Sequence, residues 1–176
     1  MTITALNEVV TPSARTVSPE TYRKGMSGLA AAVNIVTTAG PQGPAGFTAT
    51  AVCSVSDDPA TLLVCLNRGA SVHSIFAQSQ HLAINTLTSV QSPLSNLFGG
   101  KAPMAERFEN GAWTTSANGS PVLSDAAVCF DCVITEVKSV ATHDVLFCQV
   151  TDIRLNEEAD ALLYYQRGYH SVSQDV

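Results

Sequence analysis

The sequence predicts a mainly β protein with a few short helices, closed into a barrel and not spread as a doubly wound sheet. Three observations carry that expectation. Apolar, β-branched runs dominate the chain, the longest being residues 127–140 and 145–155. The stretch Gly40-Pro41-Gln42-Gly43-Pro44-Ala45-Gly46 holds too many breakers to be anything but a turn, so the runs beside it form a hairpin. Helical spacing occurs only in brief segments. At 176 residues the chain fits one domain, large enough to bury a core without disulfides.

The elements follow in order. Residues 1–17 are polar and unpatterned and are expected to form a flexible arm, with the domain over 18–172 and a tail at 173–176. Ser18-Pro19-Glu20 supplies an N-cap, a first-turn proline and an early acid, so a helix starts there. Tyr22, Met26, Leu29 and Ala30 recur at helical spacing, which carries the helix to about Ala32, where the strand 33–38 takes over. After the turn, residues 46–59 form the second arm of the hairpin. Residues 62–66 read as a buried strand, 71–77 as a short helix capped by Ser71, and 81–87 as another strand. A helical turn at 93–98 and a loop at 99–103 precede the segment 104–113. The two long β runs flank a brief connection at 141–144, and 162–165 is the last short strand.

Hydrophobic residues make up 45% of the chain and charged ones 14%, too little charge to solvate a monomer's whole surface, which favours a homodimer. A net charge of −6, a pI near 5.0 and only nine scattered basic residues argue against nucleic acid or an anionic membrane as partner. The five cysteines, Cys53, Cys65, Cys129, Cys132 and Cys148, lie in strand-like segments and read as reduced thiols of a cytoplasmic protein. Cys129 and Cys132 form a lone CxxC with no second ligand pair, and the four histidines are not spaced i, i+4 on any helix, so no metal site is expected. No charged n-region followed by an apolar h-region opens the sequence, and no apolar run approaches the roughly 18 residues a bilayer span needs, so a protein neither secreted nor membrane-embedded is expected.

The segment GFTATAVCSVSDDP departs most from ordinary strand composition: small and hydroxyl-bearing residues stand where bulky apolar ones belong. Either a flat ring or a phosphate approaches its backbone closely, or it is a small-residue strand beneath a helix. Gly40, Gly43 and Gly46 have the spacing GxxGxxG without the strand-to-helix context that dinucleotide capture requires.

The ordered motifs AAVNIVTTAGPQGPAGFTATAVCSVSDDP, LLVCLNRGASV, LSNLFGGKAPMAERF, ATHDVLFCQV and YHSV resemble the short-chain flavin reductases of two-component monooxygenases. The likeness runs from about Tyr22 to Val172. It is strongest to the pyrimidine-utilisation branch, with the reductases of hydroxyphenylacetate and chlorophenol hydroxylases a step further away. The resemblance implies an FMN-binding split β-barrel that is homodimeric, with flavin near the subunit interface. It implies that Thr48, Ala49, Thr50, Ala51, Val52, Cys53 and Ser54 run along the flavin. Asn67, Arg68 and Ser71 match the segment that meets the ribityl chain and phosphate, and Phe98 either covers the ring or is ordinary core. Nicotinamide stacks over the flavin in such proteins, and the resemblance puts the edges of its pocket at Gly43, Gly46, Tyr169 and His170. His143 matches a Gly-x-His element beside the flavin and is the candidate catalytic residue, although Ala141 stands where relatives carry glycine.

The implied reaction is hydride transfer from NADH, or NADPH, to FMN, or FAD, with reduced flavin diffusing to an oxygenase. FMN is preferred because the likeness is strongest to the pyrimidine-utilisation branch, and NADH because no arginine cluster for a 2′-phosphate appears near Gly43 or Tyr169. The rival readings are a flavin-binding electron carrier, a split-barrel flavin oxidase without a nicotinamide site, and a purely structural dimer.

Overall fold

The computed structural model describes residues 16–41 and 43–173. Of the expected arm only Thr16 and Val17 fall among them, and of the tail only Ser173; the rest of both lies outside the described residues. Helix α1 (Pro19–Met26) starts where the sequence places it, with Ser18 Oγ accepting from Thr21 N at 3.1 Å. It ends at Met26 and not near Ala32, because Ser27 caps it and glycines at 25 and 28 weaken propagation. None of its residues is buried, so no packing face extends it.

Strands β1 (Ala31–Ala32), β2 (Asn34–Gly40), β3 (Gly43–Ala49), β4 (Val52–Asp57), β5 (Ala60–Asn67) and β6 (His81–Thr86) follow, with the short helix α2 (His73–Phe76) before β6. The hairpin across residues 40–43 is as expected, Gly40 opposing Gly43 with Gly43 at φ 111. A 3₁₀ turn (Ser89–Gln91) leads into α3 (Ser92–Gly99) and α4 (Met104–Phe108). Then come β7 (Trp113–Thr115), β8 (Pro121–Leu123), the two 13-residue strands β9 (Val128–Val140) and β10 (His143–Leu155), and the hairpin β11 (Ala161–Tyr165) with β12 (Gly168–Val172).

Seven strands form one antiparallel sheet in the order β3-β2-β6-β9-β10-β5-β4. β3 and β4 are consecutive in sequence yet stand at its two edges, so the sheet has to curl until its edges meet at Thr50 and Ala51. They are not hydrogen-bonded neighbours, and the barrel is split along that seam. The expected single strand 46–59 is therefore two strands at opposite edges. Register shifts in β9–β10, at Phe147/Cys148 and Val150/Asp152, supply the local twist.

The core has two parts, one on each face of the central strands. Val36, Val64, Leu82, Ile84, Leu146 and Phe76 fill the barrel interior. Ile35, Ala83, Leu87, Leu94, Phe98 and Leu123 pack between the sheet and α3. Neighbours such as Ile35 and Val36 face opposite ways and are both fully buried, which explains why β2 and β6 carry adjacent apolar residues and do not alternate apolar with polar. Cys129, Cys132 and Cys148 are buried free thiols; desolvation raises their proton affinity, that of Cys148 to a pKa of about 12, which makes them inert core groups.

Candidate functional site

The seam opens into a cleft of about 410 Å³ lined by residues 47–51, 65–67, 70–72 and 98–100 with Arg107 and His143. Each part has a local cause. At the split, Thr50 and Ala51 leave β3 exposed to solvent, and Cys65 N donating to Ala51 O at 3.0 Å ties the link to β5. Helix α3 lies across β3: Thr48 Oγ1 donates to Ser95 O at 2.6 Å, and Gly46 lets Phe98 approach, since a Cβ there would stand 2.9 Å from the Phe98 ring. The border that the cleft shares with its neighbour is thus lined by Thr48, Thr50, Gly99 and Gly100, small groups that leave room for a flat ring.

Those same four residues line a second cleft of about 320 Å³, completed by Val33, Ser95, Asn96, Tyr164 and Tyr169. Tyr169 is placed there by the β11–β12 hairpin, whose two-residue loop puts Gln166 and Arg167 at φ 47 and 63, a primed turn built without glycine. Tyr169 faces Tyr164 across the strands with rings 5.4 Å apart, and its hydroxyl meets Ser95 Oγ at 2.9 Å and donates to Asn96 Oδ1 at 3.0 Å.

Arg107 is the residue that sequence reasoning missed. Only 5% exposed, its guanidinium donates to the carbonyls of Ala102 at 3.0 Å, Gly46 at 3.2 Å, Phe98 at 2.8 Å and Gly100 at 2.9 Å. Desolvation lowers its pKa from the usual arginine value. It locks α3, α4 and β3 into one floor, and as a cation at the C-terminal end of α3 it suits the helix dipole. The sequence signal was a lone arginine in the otherwise unassigned segment 104–113.

Asn67 and His143 sit opposite each other on β5 and β10 at the cleft's mouth. His143 is half-buried with Nδ1 2.9 Å from Thr142 Oγ1. Asn67 Oδ1 accepts from Gly69 N at 2.8 Å, shaping the turn that follows. Arg68 spans to the next loop: its backbone N donates to Thr142 O at 2.9 Å and its Nη2 to Ala141 O. Ala141 adopts φ 50, so the left-handed conformation that favours glycine is kept here with a methyl group in place.

The structure brings Thr48, Ala49, Thr50, Ala51, Asn67, Ser71 and His143 into the first cleft and Tyr169 into the second. Others fall elsewhere. Val52, Cys53 and Ser54 continue along β4 outside both clefts' linings. Gly43 borders a separate hollow beside Trp113, and Gly46 is sealed behind Phe98, so the 40–46 turn does not edge the second cleft. His170 turns away, its Nε2 3.2 Å from Tyr165 O. Phe98, 1% exposed and edge-on to Phe108 at 5.1 Å, backs the cleft and does not cover it. Ser71 is exposed in the cleft and does not cap α2, whose N-cap is Val72. Arg68 is exposed and is not among the cleft-lining residues, its guanidinium being engaged with the 141 loop.

The first cleft fits an isoalloxazine by size, within the roughly 300–1,000 Å³ of small-molecule sites. It fits by lining too: a floor of Ala49, Ala51, Gly99 and Gly100 for the ring, and Asn67 and Ser71 for polar substituents.

Comparisons with known proteins agree with this geometry. A curated relative from Stutzerimonas stutzeri named FMN reductase (NADH) RutF is 57% identical over 88% of each chain. The crystal structure of a flavin reductase from Haemophilus somnus 129PT superposes with a TM-score of 0.87 at 50% identity, over 89% of this chain and all of that one. A homologue of nitrilotriacetate monooxygenase component B from Mycobacterium thermoresistibile gives 0.83 at 25% identity, over 89% of each chain. The family model described as flavin reductase like domain matches residues 26–173, and the chain belongs to that family.

Proposed function

We propose that this protein transfers hydride from NADH to FMN and releases the reduced flavin to a separate oxygenase. The observation that carries the reading is the pair of adjoining clefts that share Thr48, Thr50, Gly99 and Gly100 as lining, since small residues at a common edge let two planar cofactors come into direct contact there. Relatives about 55% identical carry the name FMN reductase (NADH), which supports this donor and acceptor.

When bound, the flavin accepts the hydride at N5 from C4 of the nicotinamide, chemistry that needs no protein nucleophile. The chain's residues supply position. Thr48 and Gly99 form the common edge at which the two clefts meet, Tyr169 offers a ring face to the nicotinamide side, and His143 stands at the open end of the flavin side beside Asn67. Arg68 is engaged with the 141 loop, so the phosphate meets mainly neutral donors and the flavin leaves as a product.

A homodimer in the cytoplasm is the matching assembly. Among the described residues, Tyr22 and Met26 on α1, Leu29 after it, and Val137, Val140, Ile153 and Leu155 on the long strands stand exposed, apolar positions that a second copy would cover. No helix among the described residues is long and apolar enough to cross a membrane.

Rates measured with NADH and NADPH, each against FMN, FAD and riboflavin in molar excess over protein, test the proposal. NADH with FMN gives the highest rate, and the flavin reduced anaerobically exceeds the protein many-fold. Binding of FMN without NADH oxidation would instead identify an electron carrier.

A further inference from the structure

His73 lies outside the cleft lining, yet it anchors the segment that forms one side of it. It opens α2 directly after Ser71 and Val72, which line the cleft. Its Nε2 stands 2.7 Å from Oδ2 of Asp144, and Asp144 follows His143 on β10. Asp144 is only 8% exposed, and its other oxygen, Oδ1, accepts from Ser139 Oγ at 2.6 Å, so the carboxylate is fixed from both sides. This contact joins the two halves of the cleft mouth.

We propose that His73 is a positioning residue: through Asp144 it holds the turn after β5 at the distance from His143 that lets Ser71 and its neighbours receive the phosphate of FMN. The inference rests on the flavin reading above and adds to it a residue and a selectivity. The backbone link from Arg68 N to Thr142 O secures the near end of the turn. His73 secures the far end, beyond Ser71, and a turn pinned at both ends loses less freedom when an anion arrives. The isoalloxazine lies over the small-residue floor, away from this pin, so the ring's own affinity does not depend on it.

The test compares FMN with riboflavin, which has the same ring and no phosphate. His73→Gln keeps a nitrogen donor of similar reach to Asp144; His73→Asn keeps polarity at a half-exposed helix start but falls short. Dissociation constants come from quenching of flavin fluorescence, with melting curves to verify folding. H73N is expected to weaken FMN about tenfold, the size of one hydrogen bond to a charged group, with riboflavin unchanged and H73Q like the parent. FMN held by H73N as tightly as by the parent, equal weakening of FMN and riboflavin, or H73Q as weak as H73N each overturn the inference. A parent protein that binds neither flavin overturns the underlying reading instead.

Discussion

Asn67 and His143 are cross-strand partners at the junction of β5 and β10, and they place an imidazole at the open end of the cleft without enclosing it. Asn67 shapes its own turn through Gly69 N, while Thr142 Oγ1 meets His143 Nδ1. The imidazole therefore has a defined orientation but, among the described residues, no carboxylate partner of its own, which suits a group that orients flavin more than one that shuttles a proton.

His143→Ala is accordingly expected to slow FMN reduction by about ten- to a hundredfold, the scale of a lost positioning contact. Stopped-flow bleaching of the flavin reads this. A fall beyond about a thousandfold would assign His143 a proton-transfer role.

Arg107→Met leaves the carbonyls of Gly46, Phe98, Gly100 and Ala102 without their donor. The expected cost is about 2–4 kcal/mol of folding stability, since buried acceptors are then unpaired. Urea unfolding measures it, and a loss below about 0.5 kcal/mol would show that the clamp contributes little.

Hydrogen bonds from His73 and then Ser139 hold the Asp144 carboxyl below its usual pKa. A depressed folded pKa means the stabilisation is complete above the unfolded value, about 3.9, and is lost as pH falls through the lower folded one. The melting temperature of the parent should exceed that of Asp144→Asn above about pH 3.9, and that margin should shrink on acidification below it. A margin that widens below about pH 3.9 contradicts the assignment.

Much of the fold was legible because it is local. The breakers at 40–46 gave the hairpin, Ser18-Pro19 gave the start of α1, and the long runs gave β9 and β10. The end of α1 was misplaced because Leu29 and Ala30 continue its period although none of its residues is buried. The break at Thr50 and Ala51 carries no proline or glycine, and only sheet closure reveals it. β12 was hidden because Gln166 and Arg167 make a primed turn without its usual residues. Thr48 to Ala51 stood out in the sequence because their small size is unusual for a strand. Arg107 did not, because its four acceptors are backbone carbonyls of two segments, Gly46 and residues 98–102, that only the fold brings together.

The account stands on the shallow floor at the seam, and Ala51→Phe tests it most directly. Ala51 is exposed, so a large ring there fills the cleft without disturbing the core. Anaerobic mixing with FMN and NADH should reduce flavin rapidly in the parent and at least about a hundredfold more slowly in the variant, at an unchanged melting temperature. Reduction at the parent's rate by a folded A51F protein would place the flavin elsewhere and contradict the account.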